Sequence, residues 1–149
     1  MTQANSPSEG GEFQRVPPHS IEAEACVLGS MILHAPCVDA VVQIVREEHF
    51  YRPAHQALFR VLAELKDAAK PIDLVSVRDE LERRKLLEAV GGIDYVVALA
   101  EGVPSAANAE YYAQIVRDKG LLRELILAGT DIVNEAYQAQ EDASEFLDH

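Results

Sequence analysis

The chain has 149 residues, enough for one domain or one domain with an appendage, and 48% of them are hydrophobic, which argues against wholesale disorder. Its 25 acidic and 13 basic residues give a net charge of −12, which disfavours binding to phosphate backbones because that affinity comes largely from Lys and Arg. The two cysteines, Cys26 and Cys37, lack disulfide-framework spacing, and neither a signal peptide nor an apolar run of membrane-spanning length is visible, so we expect a reduced, cytosolic protein.

Residues 17–103 are predicted to form a head of short helices. The first 16 residues are polar and are predicted to be a disordered tail that ends at the Val16-Pro17-Pro18 segment. Apolar residues then recur at helical spacing in five segments, each opened by a cap, a proline or a glycine pair. These openings are Ser20, Pro36, Pro53, Asp73 and Gly91-Gly92. Because no segment alternates with period two, the predicted fold class is all-α.

The stretch from Ser105 to Tyr137 is predicted to be one helix that is too long for this head. It has no proline, and about 30 residues span roughly 45 Å, while a globule of about 100 residues has a radius of gyration of about 13 Å. Two apolar stripes follow this helix. The first stripe is Tyr112, Ile115, Leu122, Ile126, Val133 and Ala136, and the second is Leu121, Leu125, Ala128 and Ile132. A protruding helix with two apolar stripes needs partners outside its own globule, which favours an interaction protein.

A further helix is predicted to begin at Asp142, with Glu145 three residues later as in a capping box. It has barely two turns before His149. We therefore expect the sequence to be a fragment of a longer protein.

Catalytic signatures are missing from the sequence, which contains no GxxxxGK[ST], GxGxxG, HExxH or GxSxG motif. His49, His55 and Cys37 offer a metal-site alternative, although no pair of them has a standard ligand spacing. The competing interpretation of His55 is a first-turn residue that packs or hydrogen-bonds near the start of its helix. Glu22 and Glu24 lie two residues apart on a helix, point to different sides and are interpreted as solvated residues.

Basic residues cluster on the fourth predicted helix and on the long helix. The two clusters are Arg78, Arg83, Arg84 and Lys85, and Arg117, Lys119 and Arg123. They are interpreted as solvated faces balanced by neighbouring Glu and Asp, with a nucleic-acid patch as the alternative. Tyr111 and Tyr112 are adjacent on a helix, so one of them is predicted to be exposed and to be an interface candidate.

Five blocks of sequence occur in order between Val16 and about Ile126. They are Val16-Pro-Pro-His-Ser-Ile-Glu-Ala-Glu with Val27-Leu-Gly, His49-Phe-Tyr-Arg-Pro-Ala-His-Gln-Ala-Leu-Phe59, Pro71-Ile-Asp-Leu-Val-Ser-Val, Gly91-Gly-Ile-Asp-Tyr95, and Pro104-Ser-Ala-Ala-Asn-Ala-Glu-Tyr-Tyr-Ala113 with Ile115-Val-Arg. In this order they resemble the N-terminal domain of the bacterial replicative DNA helicases of the DnaB family. That family's ATPase domain, with its phosphate loop, is absent from these 149 residues.

The resemblance implies a compact helical head followed, over residues 104–149, by an extended helical hairpin whose second helix is truncated. In that family the hairpins pair between subunits, and the pairs join through the heads into a collar on a hexameric ring. The collar also docks the C-terminal domain of primase, which couples unwinding to primer synthesis, and loader proteins act on the same enzyme. By this resemblance the fragment is not an enzyme and holds no cofactor, since ATP and Mg²⁺ belong to the missing ATPase domain of an ATP-dependent DNA helicase.

The resemblance also carries primase-facing positions onto this chain. They are Glu22, Tyr95, Tyr112, Ile126 and Ile132. Core packing stays open for the two tyrosines, and hairpin or subunit packing stays open for the two isoleucines. The second stripe (Leu121, Leu125, Ala128 and Ile132) is predicted to mediate self-association. The alternative function is a collar that guides single-stranded DNA through the basic clusters, against the net charge of −12.

Overall fold

The computed structural model describes residues 15–148, with Asp148 through its backbone only. Six α-helices follow one another in this range: α1 (Ile21–Leu33), α2 (Val38–Ile44), α3 (Pro53–Asp67), α4 (Leu74–Arg83), α5 (Gly92–Glu101) and α6 (Ala109–Asp148). Single 3-10 turns precede α2, α3 and α6, at Ala35–Cys37, Glu47–His49 and Ala106–Asn108. The all-α class is confirmed for this part of the chain. The predicted tail lies outside the described residues, apart from its last two positions.

Most helix starts lie where their local signals predict them. The Ser20 hydroxyl accepts a hydrogen bond from Ala23 N at 3.2 Å, and the Asp73 carboxylate accepts one from Ser76 N at 2.8 Å. These side chains replace the missing intrahelical partners of the first helical N–H groups. Pro36 differs from its prediction, because it lies in a 3-10 turn and α2 begins two residues later.

The core of the head is built around α1, which packs against α3, α5 and the first turns of α6. Its inward side is buried and mostly apolar, through Val27, Leu28 and Met31, with Glu24 and Ser30 as buried polar residues. Phe50 joins this core from the segment before α3, where its ring lies 4.9 Å from the ring of Phe59. The short helices are therefore held by shared burial, since helices of this length are marginal in isolation.

Within the described residues, no single helix is long and apolar enough to cross a membrane. The bent pair Ile21–Leu33 and Ala35–Ile44, with 119° between its helices, meets that criterion by length and composition. The inward residues of both helices form the core of the head.

The long helix α6 leaves the head after three turns. Ala109, Ala113, Val116 and Gly120 are buried against the head, whereas every residue from Glu124 to Leu147 is exposed. We call Glu124–Leu147 the arm; at 1.5 Å per residue it is about 35 Å long. A compact head followed by an extended helix is thereby confirmed, while the domain boundary at residue 104 stays a prediction.

The prediction of a second helix starting at Asp142 is wrong, because α6 continues without a break to Asp148. No proline or glycine lies between Thr130 and the end of α6, and residues such as Ala, Glu and Gln favour helix continuation. The Asp142 carboxylate accepts a hydrogen bond from Gln138 Nε2, one turn earlier, at 3.2 Å. The side chain that suggested a cap therefore makes an ordinary contact along the helix surface.

Candidate interaction surfaces

A shallow depression runs along the outer side of α1 and brings together three of the predicted partner-binding residues. Its larger part, of about 460 Å³, is lined by Glu22 and Tyr112, and its smaller part, of about 220 Å³, is lined by Tyr95. The two parts share Ala25, Cys26 and Gly102, so we describe them as one docking depression. Also lining it are Ser20, Ala23, Ala98, Leu99, Pro104 and Ile115.

Tyr95 reaches this depression because of the turn that precedes α5. Gly91 and Gly92 have φ angles of 112° and 83°, in the left-handed region that favours glycine. A Cβ at Gly91 would lie 2.9 Å from Tyr95 Cδ2, so a side chain there would displace the tyrosine ring. The Arg52 guanidinium lies over the same ring, 5.5 Å from its centroid, and donates to the Tyr95 hydroxyl at 3.3 Å.

The hydroxyl of Tyr95 is also connected to a buried polar pair. It lies 2.6 Å from His55 Nε2, and His55 Nδ1 lies 2.8 Å from a carboxylate oxygen of Glu24. The other Glu24 oxygen accepts from Tyr51 N at 2.7 Å. His55 is fully buried and Glu24 is 1% exposed. The interpretation of Glu24 as solvated is wrong, while the interpretation of His55 as a packed, hydrogen-bonded residue near its helix start is confirmed.

The residues of the metal-site alternative have other contacts. His49 Nδ1 accepts from Arg46 N at 3.0 Å, and burial lowers the pKa of His49. The Cys37 thiol donates to Ser30 O at 3.4 Å, and burial raises the pKa of that thiol. Among residues 15–148, no three His, Cys, Asp or Glu side chains converge on a possible ion. The described part of the chain therefore offers no support for a metal centre.

The long helix α6 presents the residues predicted for self-association on one face. At about 100° per residue, Leu121, Leu125, Ala128 and Ile132 lie within roughly 60° of one another, and the first stripe lies next to them. The positions buried against the head lie on a separate face, which is about 120° away from each stripe. The combined apolar face of the arm therefore points away from the head. Its large exposed members are Leu125, Ile126, Ile132, Val133 and Tyr137, and Leu121 and Leu122 continue it on the turn before the arm.

Besides lying on the apolar face, Ile126 lines a second depression on the surface. Together with Leu127 and Arg123 it lines a depression of about 490 Å³, whose opposite wall is the segment Arg15–Pro18. Ile132 lies more than one turn further along the arm and is 67% exposed. The two isoleucines are thus separated from the docking depression on α1, and the predicted partner-binding residues divide between the head and the arm.

The contact face between α6 and the head was not predicted from the sequence. It consists of Ala109, Ala113, Val116 and Gly120, at spacings of four and three. The available signal was this stripe of small residues, which allows close helix packing but has little hydrophobicity. Large apolar residues on the other faces gave the stronger pattern. Of these, Tyr112 and Ile115 are half-buried against the core, and those from Leu121 onward are exposed.

The basic clusters are largely occupied by carboxylates. Arg83 and Arg84 both bind Glu80, and Arg84 also binds Glu64. Arg78 lies 3.7 Å from Glu82, and Arg117 lies 3.7 Å from Asp118. The interpretation of these four arginines as balanced by neighbouring acids is confirmed. Arg123 instead donates to two main-chain carbonyl groups.

Comparison with known proteins agrees with the resemblance drawn from the five sequence blocks. The family described as DnaB-like helicase N terminal domain matches residues 16–118, more than half of the chain. The replicative DNA helicase DnaB of Geobacillus stearothermophilus is 42% identical over 135 residues, and that of Mycobacterium leprae is 44% identical over 144 residues. These alignments cover 91% and 95% of this chain but only 30% and 24% of the relatives.

Solved structures give the same result. The crystal structure of the N-terminal domain of DnaB helicase from Mycobacterium tuberculosis has a TM-score of 0.79 and 44% identity, and the match covers 82% of this chain and 88% of that one. The N-terminal domain of DnaB helicase from Helicobacter pylori shares the fold at 19% identity, with a TM-score of 0.65 over 90% of this chain and 99% of that one. Sequence, helix order and fold therefore agree, and the chain belongs to the DnaB-like helicase N-terminal domain family.

Proposed function

We propose that this chain is the non-catalytic collar domain of a bacterial replicative DNA helicase, in which it pairs subunits and docks primase. The proposal rests on the family and on two separate surfaces, one on the arm and one on the head. In a protein of the relatives' length, ATP and Mg²⁺ would bind in the remaining part of the chain and drive unwinding in the cytoplasm. The domain itself would contribute ring assembly and the coupling of unwinding to primer synthesis.

The observation that carries the proposal is the apolar face of the arm. Isolated apolar side chains on a surface are ordinary, but a contiguous strip along an exposed helix of about 35 Å marks an interaction site. On this face, Leu125, Ile132 and Val133 are each more than half exposed in the single chain. Packing against another helix would remove them from water and contribute about 25 cal/mol per Å² of apolar area buried.

The docking depression on α1 is the surface that we assign to primase. Two solved structures with the same fold, one of a DnaB-like replicative helicase and one of the Helicobacter pylori domain, are described together with their interactions with primase. The depression has features of protein-binding surfaces, since it combines an apolar floor with Tyr95 and Tyr112 at its walls and Glu22 at its rim. Ile126 and Ile132 would extend the primase contact along the arm, or serve pairing alone.

Light-scattering chromatography tests both halves of the proposal. The chain would be measured alone over a range of concentrations, and then mixed with the C-terminal domain of the primase from the same organism. We expect a concentration-dependent dimer or larger species alone, and a co-eluting complex in the mixture. A chain that stays monomeric throughout would contradict pairing, and separate elution at micromolar concentrations would contradict docking.

Variants then locate the primase contact. Tyr95→Ala and Ile126→Ala would be compared with Val75→Ala, which removes an exposed apolar side chain that lines neither depression. We expect Tyr95→Ala to weaken co-elution with primase and Val75→Ala to leave it unchanged. Circular dichroism should show unchanged helicity in both variants. Ile126→Ala distinguishes the two roles left open for the arm, because a pairing residue would change the mass of the chain alone.

A further inference from the structure

We propose that Glu24 and His55 are positioning residues for the docking depression, and that they act through the hydroxyl of Tyr95. The inference rests on the proposed primase docking and adds to it a buried support that fixes one wall of the site. Neither residue reaches the depression itself, because His55 is fully buried and Glu24 is 1% exposed. Their connection to the surface runs through the 2.6 Å contact between His55 Nε2 and the Tyr95 hydroxyl.

Hydrogen-bond chemistry gives this connection a direction. A guanidinium has donors only, so the Tyr95 oxygen accepts from Arg52 and its single O–H is left to donate. We assign His55 Nε2, which lies within reach, as the acceptor of this proton. The remaining ring proton is then on Nδ1 and is donated to Glu24 at 2.8 Å. Every polar group in this series has a partner, as buried polar groups require.

Stability alone is a poor reason for this arrangement. A buried carboxylate and imidazole pay a desolvation cost, and apolar residues of similar volume often replace such pairs without loss of stability. What the buried pair adds is a fixed geometry. The connected residues come from three segments of the chain: Glu24 is on α1, His55 is in the first turn of α3, and Tyr95 is in the first turn of α5.

Without that support, the Tyr95 ring would be held by fewer contacts. Its ring stacks on His55 with 5.9 Å between centroids and 10° between planes, and Arg52 covers it from the solvent-exposed segment before α3. The preceding Gly91-Gly92 turn has left-handed φ angles and leaves room for the ring without fixing it. The hydrogen bond to His55 therefore selects the ring position that a partner meets.

Tyr95→Phe is the test variant, because it keeps the ring and removes only the hydroxyl. Tyr51→Phe is the matched control, since it removes a hydroxyl from a tyrosine that is 36% exposed and does not line the depression. Nuclear magnetic resonance would report the protonated nitrogen of His55 and the contacts between the two rings. Calorimetry would report the dissociation constant for the C-terminal domain of primase.

We expect His55 to carry its proton on Nδ1 in the wild type, and the ring contacts to average out in Tyr95→Phe. The dissociation constant should rise roughly tenfold, in line with the loss of one well-placed hydrogen bond, while Tyr51→Phe binds like the wild type. A change in melting temperature without these two changes would indicate a merely structural role and overturn the proposal. A proton on Nε2, or unchanged ring contacts with unchanged affinity, would also overturn it.

The two proposals fail separately. If the wild type does not bind the primase domain, the docking function is contradicted, and the resonance comparison still decides whether His55 holds Tyr95. Lost ring contacts in Tyr95→Phe would then support the positioning role, and unchanged contacts would overturn it. His55→Gln provides a second variant that reaches the same hydroxyl from the buried side, and where the wild type binds primase it should raise the dissociation constant as Tyr95→Phe does.

Discussion

Arg123 on α6 and Pro18 before α1 are joined by a hydrogen bond of 2.7 Å from the guanidinium Nη1 to the carbonyl oxygen. The same guanidinium donates through Nη2 to His49 O, also at 2.7 Å, and lies 5.4 Å from the centroid of the Tyr51 ring. Tyr51 in turn stacks on His19, with 4.2 Å between ring centroids. One side chain therefore joins two distant segments of the head, at Pro18 and at His49–Tyr51, at the point where the arm begins.

We expect Arg123→Ala to lower the free energy of unfolding by about 2 kcal/mol, because two part-buried carbonyl groups lose a charged donor. Arg123→Lys should recover only part of this loss, since an ammonium lacks the planar fork that serves both carbonyl groups. Urea denaturation followed by circular dichroism measures both values. Arg117→Ala is the control on the same helix and should cost less than about 0.5 kcal/mol, as its exposed pair with Asp118 is 3.7 Å long. Equal losses at the two positions would contradict the role of Arg123.

Two glycines of α6 should respond in opposite directions to alanine. A Cβ on Gly120 would lie 2.8 Å from His49 Cα, so Gly120→Ala should separate α6 from the head and cost about 1–3 kcal/mol. Around Gly129, a Cβ would meet no described heavy atom within 4 Å, so Gly129→Ala should stabilise the helix by up to about 1 kcal/mol. Thermal denaturation of the two variants tests this contrast. A stabilising Gly120→Ala would mean that α6 does not pack closely on the turn at His49.

Acid should weaken the head partly through Glu80. Hydrogen bonds from Arg83 and Arg84 lower the pKa of this buried carboxyl group from 4.5 to about 2. Because the folded-state pKa is below the unfolded value, the stabilisation is fully present above about pH 4.5 and is lost as the pH falls towards 2. We expect Glu80→Gln to be less stable than the wild type at pH 7 and to lose less stability between pH 6 and pH 2.5.

Urea denaturation at a series of pH values measures this effect. Glu88→Gln is the control, since it removes one carboxylate from an exposed position in the turn after α4. Its stability curve should run parallel to that of the wild type over the same range. If the curve of Glu80→Gln were also parallel, the two arginines would not be stabilising a charged Glu80.

Pairing through the arm should depend on its apolar face. The double substitution Leu125→Ser and Ile132→Ser removes two large side chains from that face, each worth about 1.5–3 kcal/mol when fully buried. We expect the dissociation constant of self-association to rise by at least roughly tenfold in sedimentation equilibrium. Asn134→Ser with Gln138→Ser, on the polar side of the same helix, is the control and should leave association unchanged. A similar loss in both double variants would indicate a general effect on the arm.

The negative charge of the arm should make its self-association depend on salt concentration. From Glu124 onward the sequence has acidic residues but neither Lys nor Arg. Two arms that pair along their apolar faces keep these acids at the edges of the contact, where salt screens their repulsion over a Debye length of about 10 Å at 0.1 M. Self-association should therefore strengthen as the salt concentration rises. Weakening by salt, measured by the same sedimentation experiment, would instead indicate a contact made through ion pairs.

The amino-acid sequence by itself determined the elements whose signals are local. Ser20 and Asp73 start helices because each side chain bonds an N–H group three residues later, and Pro53 starts one because its missing N–H is not needed there. The overlong helix followed from an uninterrupted run without proline, and the family followed from ordered blocks of residues. Each of these inferences depends on neighbours along the chain, which a single sequence displays in full.

The tertiary structure alone decided which groups meet across the chain. Glu24 was assigned to solvent because nothing near it in sequence identifies His55 and the Tyr51 N–H as its partners. The head-facing side of α6 was missed because small residues at Ala113 and Gly120 pack closely without a strong hydrophobic pattern. The residues at Asp142 and Glu145 resemble a helix cap, but the helix continues through them. An N-cap requires the preceding backbone to leave the helix, and no residue there forces it to do so. Burial and hydrogen bonding between distant segments are properties of the folded chain, and they place Tyr95 at the surface with its support inside.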